Sequence, residues 1–200
     1  MKKEECTMHD FSNVITNLEA RGYTVRRFAT GAEAAAYLNT AIDGVSVGIG
    51  GSSTVKALGL YDSLGTHNTV VWHWMQEAGP ARKAAMQTDV YLTSVNALAE
   101  SGEMVNIDGA GNRVSSTLFG HKKVYYLIGR NKLAEDYDKA VWRARNIAAP
   151  QRAQQLNAKT PCAEKADRCY DCKSPGRICR GLVTLWGPMM SMEAEVLLID

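Results

Sequence analysis

Long apolar runs are missing from this 200-residue chain: none reaches the roughly 18 residues that a membrane-crossing helix needs. A spanning helix is excluded on that ground, and no membrane partner is expected. The opening residues, Met1-Lys2-Lys3-Glu4-Glu5-Cys6, are charged and lack the apolar core of a secretory signal, so the expected location is the cytoplasm. An excess of charge of one sign is missing too. Lys and Arg number 23 against 21 Asp and Glu, a net charge of +2. A broad basic face for nucleic acid needs more, and no nucleic-acid partner is expected. Before Cys162 only Cys6 occurs, so no disulfide framework staples the body of the chain. Internal repeats and low-complexity segments are also lacking.

What is there suits a globular domain, with 46% hydrophobic and 22% charged residues. A chain of this length can bury roughly 70% of its unfolded surface without staples. Helical spacing of Phe11, Val14, Ile15 and Leu18 predicts a helix over 8–21, stopped by Gly22. Strands are expected at 23–28, 45–49, 69–72, 89–93 and 123–128, with helices between them at 32–38, after Ser52 or Ser53, and at 77–86. The segments 105–107 and 113–115 flank Asp108-Gly109-Ala110-Gly111-Asn112, which has the composition of a hairpin turn. A long amphipathic helix is expected from Leu133 to Ile147, ended by Pro150. Residues 195–199 read as a final strand or a docking tail. Strand and helix alternate throughout, which predicts a three-layer α/β/α sandwich around a mostly parallel, Rossmann-like sheet. The expected division is an α/β domain over 1–156 and a Cys-rich tail over 157–200 packed on it.

Gly48-Ile49-Gly50-Gly51-Ser52-Ser53-Thr54 follows a strand and opens a helix. Glycines let a ligand approach the backbone, and N–H groups at a helix start favour an anion. Ser52, Ser53 and Thr54 add hydroxyls, and Lys56 adds a cation one turn on. A small anionic organic ligand, phosphate or carboxylate, suits Gly50, Gly51, Ser52, Ser53, Thr54 and Lys56. The pattern is neither a Walker loop nor a full dinucleotide fingerprint, and a tight strand-to-helix turn explains the same residues without a ligand. Glu103 is the candidate catalytic carboxylate, as base or nucleophile, while Asp108 and Asn112 are candidate ligand contacts or simple turn formers. His73, between Trp72 and Trp74, is a general base or a packed core histidine. His9, His67 and His121 have no metal partner at readable spacing. Met189, Met190 and Met192 are read as an interface or as core filler, so a second copy of this chain stays open as a partner.

The last feature is Cys162-x6-Cys169-x2-Cys172-x6-Cys179. Four thiolates around a C-x2-C knuckle suit zinc or an iron–sulfur cluster, and the spacing does not separate the two. An iron–sulfur cluster would bring a redox partner protein, and a zinc ion would hold the tail. A redox disulfide at Cys169 and Cys172 is the further reading.

These segments together resemble the LUD (lactate-utilisation) domain family over nearly the whole chain. The resemblance rests on Val47 to Thr54, on Asp89-Val90-Tyr91-Leu92-Thr93-Ser94-Val95-Asn96-Ala97, on Glu103 to Val114, on Arg145-Asn146-Ile147-Ala148-Ala149-Pro150, and on Cys169 to Cys179. The cysteine tail and the stretch around Asp108 look like one branch of that family. The resemblance implies the fold of the ribose-5-phosphate isomerase and CoA-transferase group, a bacterial or archaeal setting, and a place in organic-acid metabolism of the lactate type. The alternatives are a non-catalytic binding or regulatory module with a structural metal, and an isomerase or CoA-transferase-like enzyme. The last of these needs Glu103 to face the glycine loop.

Overall fold

Two apolar strands organise the molecule. In β7 (Lys123–Gly129) Val124, Tyr126 and Ile128 point into one core layer, and Tyr125 and Leu127 into the other. In β10 (Glu193–Ile199) Val196 and Leu198 join the first layer, and Leu197 and Ile199 the second. Strands buried on both faces belong in the middle of a helix-covered parallel sheet. The computed structural model, which describes residues 11–200, places them there. Around them lie β1 (Thr24–Phe28), β2 (Ser46–Ile49), β3 (Thr69–Trp72) and β4 (Val90–Thr93), in the order β1-β10-β7-β4-β2-β3 with every pair parallel. The chain is thus an α/β fold with a six-stranded parallel sheet between helical layers. One layer is built on α1 (Phe11–Ala20), the other on α2 (Gly31–Ala41), α3 (Ser53–Ala57) and α4 (Leu60–Leu64). Cys6, His9 and the start of the first expected helix lie outside the described residues.

Gly48 is needed for close packing. A Cβ there would come within 2.5 Å of the Ala85 carbonyl oxygen and 2.6 Å of Thr88 Oγ1, so α5 (Ala78–Ala85) rests directly on β2.

A second sheet sits beyond the first, in the order β8-β5-β6-β9. Its strands are β5 (Ala97–Ala99), β6 (Met104–Asp108), β8 (Leu133–Ala134) and β9 (Gly181–Leu185). The segment after residue 156 therefore supplies one strand to each sheet, and only the part before Gly181 is a tail packed on the surface.

Two sequence expectations are corrected by the fold. Residues 108–112 do not close a hairpin: Asp108 Oδ1 accepts from the backbone N–H of Ala110 (3.0 Å) and Gly111 (2.8 Å), and α6 (Asn112–Leu118) comes next. Strand β6 pairs with β5 and β9 instead. The helix expected from Leu133 begins only at Tyr137, since Leu133–Ala134 form a strand, and Pro150 does not end it. Helix α7 (Tyr137–Arg143) passes through a π-helical turn, Ala144–Ala148, into α8 (Ala149–Gln155), with Pro150 in its first turn. A proline in a regular helix presses on a carbonyl one turn back; the wider turn relieves it.

Glu195 is 1% exposed inside the main sheet. Lys123 Nζ (2.7 Å), Arg26 Nε (2.8 Å) and Tyr37 Oη (2.6 Å) all contact its carboxylate. Burial pushes its pKa up, but hydrogen bonds from Lys123, Tyr37 and Arg26 together outweigh that and the net shift is downward. A lowered carboxylate contributes stability that is fully present above the unfolded value, about 4.3, and is lost as pH falls through the folded pKa. Glu195→Gln is expected to cost about 3 kcal/mol at pH 7, with the deficit shrinking below about pH 4. Urea unfolding at pH 7 and pH 3 checks this; an equal deficit at both would contradict it.

Candidate functional site

In an open parallel sheet, ligands bind outside the C-terminal strand ends. Here four chain segments leave those ends side by side: Gly50 to Thr54 after β2, His73 and Trp74 after β3, Ser94 to Asn96 after β4, and Arg130 to Lys132 after β7. The second sheet, the α7–α8 helix and the tail close the opposite side. Between them lies a cleft of about 560 Å³.

The glycine loop is half committed to its own fold. Ser52 Oγ accepts from the Val55 N–H at 3.2 Å and so caps α3. The Gly50 N–H donates to Leu92 O (2.9 Å), and Gly50 O accepts from Trp72 Nε1 (3.1 Å). Gly50 itself faces Tyr91, Arg113 and Thr93, where a Cβ would meet Tyr91 Oη at 2.9 Å. Gly51, Ser52, Ser53 and Thr54 line the cleft; Gly50 lies behind it. Helix α3 has five residues, too short for its dipole to supply much field.

The positive charge comes from elsewhere. Arg82, Arg113, Lys132, Arg143, Arg152 and Arg177 line the cleft, and among the described residues Asp108 is the one carboxylate there. Three of the six are structural, Arg177 among them, which pairs with Asp171 at 3.1 Å. Arg113 is 9% exposed and donates to Ser94 O (3.1 Å), Asn96 Oδ1 (3.1 Å), Ile107 O (2.7 Å) and Asn106 Oδ1, with Nε 3.6 Å from Asp108. Arg143 donates to Asn96 O and Asn131 O. Arg152 lies 4.7 Å over the Trp74 ring, which in turn stacks on Trp72. Lys132 Nζ donates to Val95 O at 2.9 Å.

Asp108 and Asn112 both line the cleft, Asp108 spending one oxygen on its own turn. Lys56 is exposed and is not among the lining residues. Glu103 is not either. It sits at the opposite end of β6, five residues before Asp108 or about 17 Å along an extended strand. There its carboxylate is held by Arg21 and the Ser101 hydroxyl. The structure thus takes the role of base or nucleophile at the glycine loop away from Glu103. His73 does line the cleft. Its Nδ1 is buried without a partner, and burial lowers its pKa, with Arg82 and Arg152 adding to the shift and Asp108 opposing it. Ser94, 5% exposed, likewise has an unpartnered buried Oγ on the cleft wall. His121, away from the cleft, is a packed histidine: Nδ1 lies 2.7 Å from Thr88 O, the ring stacks on Tyr91, and Nε2 is buried without a partner.

The four tail cysteines are free thiols, and all four line one small apolar cavity beside α8. The donor set is one that soft metals select. In this arrangement, however, no three His, Cys, Asp or Glu among the described residues are placed to hold a metal ion. The fit is therefore one of chemistry and not of spacing. The tail does touch the cleft. Arg177 donates to Cys172 O (2.8 Å) and Cys179 O (3.0 Å), and the Arg180 N–H to Asp108 O (2.9 Å). A Cβ on Gly109 would stand 2.4 Å from Ile178 O, so tail and β6–α6 turn are in direct backbone contact.

A family model, that of the LUD domain, matches residues 12–199. Among solved structures, a DUF162 family protein from Deinococcus radiodurans is similar in fold. It is 12% identical, with a TM-score of 0.55, over 96% of this chain and 99% of that one. No curated protein matches.

Proposed function

The chain belongs to the LUD domain family, and from that premise we infer that it binds a small organic anion, carboxylate or phosphate, in the cleft over the Gly51–Thr54 loop. The observation that carries this reading is the charge balance: six cationic side chains against one carboxylate, in a protein whose overall charge is +2. A low-dielectric cleft lined by one sign of charge concentrates the opposite sign. Ser53, Thr54 and the unpartnered Ser94 Oγ supply neutral donors for orientation. The ligand class agrees with a role in organic-acid metabolism of the lactate type. With the Glu103 carboxylate held by Arg21 and Ser101 outside the cleft lining, an isomerase or CoA-transferase mechanism has no carboxylate from that residue at the loop.

Two measurements test it. Titration calorimetry with inorganic phosphate and with lactate should show saturable binding that weakens with salt. The second readout is local. Arg82 and Arg152 depress the His73 pKa, so an anion seated between them should raise it. The His73 ring signals, assigned with a His73→Gln variant, should titrate at higher pH in the presence of phosphate. Saturable binding with an unmoved His73 would place the anion elsewhere.

The cysteine segment enters as the wall of the cleft. We propose that its thiols take up a soft metal by drawing together around their common cavity. Metal and inorganic sulfide per chain after anaerobic purification tell zinc from an iron–sulfur cluster. Wild-type protein without metal from both zinc- and iron-supplemented cultures overturns that assignment.

A further inference from the structure

Lys132 occupies the position at which a parallel sheet usually places reactive groups, in the turn directly after the C-terminal end of a central strand. Strand β4 separates β7 from β2, so Lys132 stands two strand spacings, about 10 Å, from the glycine loop across the mouth of the cleft. The four-carbon stem of lysine spans much of that gap. The cleft of about 560 Å³ leaves room between them for a ligand with its anionic end on the loop.

The surroundings of the amine are unusual for a lysine. Nζ makes one hydrogen bond, to Val95 O, and no carboxylate pairs with it among the described residues. Its charged neighbours are Arg113 on α6 and Arg143 on α7, both pinned by backbone carbonyls and so unable to turn away. The preceding residue on the same loop as Val95 is Ser94, whose buried Oγ lacks a partner and lines the same cleft. Lys132 and Ser94 therefore both line the cleft near the end of β4, the amine bonded to Val95 O and the neighbouring hydroxyl without a partner in the protein.

We propose that Lys132 is a nucleophile that forms an imine with an aldehyde or ketone bearing a carboxylate or phosphate, and that Ser94 Oγ donates to the carbonyl oxygen as it is attacked. This rests on the anion-cleft reading and adds the reacting group to it. The neutral amine uses its lone pair to form a C–N bond while the carbonyl π pair moves onto oxygen, which takes a proton from the nitrogen. The resulting carbinolamine loses its hydroxyl together with the second N–H proton as water, leaving C=N. No oxidant or reductant enters.

Burial, with Arg143 and Arg113 adding to it, brings the amine down to about 8 from the ordinary 10.5. At pH 7 roughly 10% is then neutral, against about 0.03% for an ordinary lysine, a difference of about 300-fold. Lower basicity weakens the nucleophile and takes back part of that factor, leaving an advantage of at least about 10-fold in rate.

Pyridoxal 5′-phosphate, which carries an aldehyde and a phosphate, is a suitable probe for the full chain at pH 7. Borohydride reduction fixes the imine for intact-mass and peptide analysis. The expected result is one adduct per chain at Lys132, formed at least about 10-fold faster than at the open Lys122, slowed by inorganic phosphate, and absent in Lys132→Arg and Lys132→Gln. Circular dichroism confirms that the variants fold. Phosphate binding without modification of Lys132 overturns the nucleophile and leaves the anion cleft standing. Neither binding nor labelling overturns both. Labelling of Lys132 by pyridoxal as fast as by its phosphate shows that the carbonyl ligand needs no anionic group, and so overturns the stated substrate class.

Discussion

Replacing Arg82 and Arg152 together with glutamate is expected to weaken phosphate binding at least about 100-fold with little loss of fold. Both side chains line the cleft, Arg82 is exposed, and Arg152 rests on the face of Trp74. A unit charge about 6 Å away, at an effective dielectric of about 40, contributes roughly 1.4 kcal/mol. Two reversals change four units of charge facing the ligand, about 5.5 kcal/mol before screening. Solvent and salt screening remove about half of that for side chains this open, leaving about 2.7 kcal/mol, or 100-fold. Calorimetry on the double variant, with its melting temperature as the folding control, reads this directly. A change of less than about 3-fold with the fold intact would mean that the anion does not sit between them.

The second large effect concerns stability. Arg113→Met should cost about 3–5 kcal/mol, the range for removing one partner of a buried ionic network. The guanidinium satisfies the carbonyls of Ser94 and Ile107 and the side-chain oxygens of Asn96 and Asn106, and it neutralises Asp108. Methionine fills much of the volume and restores none of these bonds. For a chain of this size each kcal/mol lowers the melting temperature by roughly 2–4 °C, so a fall of roughly 6–20 °C is expected. Arg113→Lys should recover less than half, because a single ammonium cannot reach in the several directions that the planar fork does. A loss below about 1 kcal/mol would show that the network is not what joins the β4 end to the second sheet.

The main sheet was legible because its signals are local. The run Val124 to Ile128 and the segment Glu195 to Ile199 are apolar on both faces, and the Gly50–Thr54 loop announces a strand-to-helix turn. The second sheet was not. Ala97-Leu98-Ala99 is short and alanine-rich, so it carries no strand propensity, and it pairs because β6 and β8 flank it. Asp108-Gly109 signalled a turn correctly but not the helix after it; the β-branched Val114 and Thr117 favour a strand, and packing makes the segment helical. Pro150 misled because a π-helical turn is not readable from spacing. The candidate site divides in the same way. Gly51, Ser52, Ser53, Thr54, Asp108 and Asn112 reach the cleft, while Lys56 and Glu103 face elsewhere. Arg82, Lys132 and Arg152 were missed since only sheet order brings them together. For Lys132 one signal existed, its place just past the end of the most apolar strand.

The most direct test is a crystal of the protein soaked in selenate, with the anomalous map used to locate the anion. Its strongest peak is expected in the cleft, within hydrogen-bonding reach of Ser53 or Thr54 and of Arg82 or Arg152. Selenate found on outlying arginines, with the cleft holding water alone, would contradict the account.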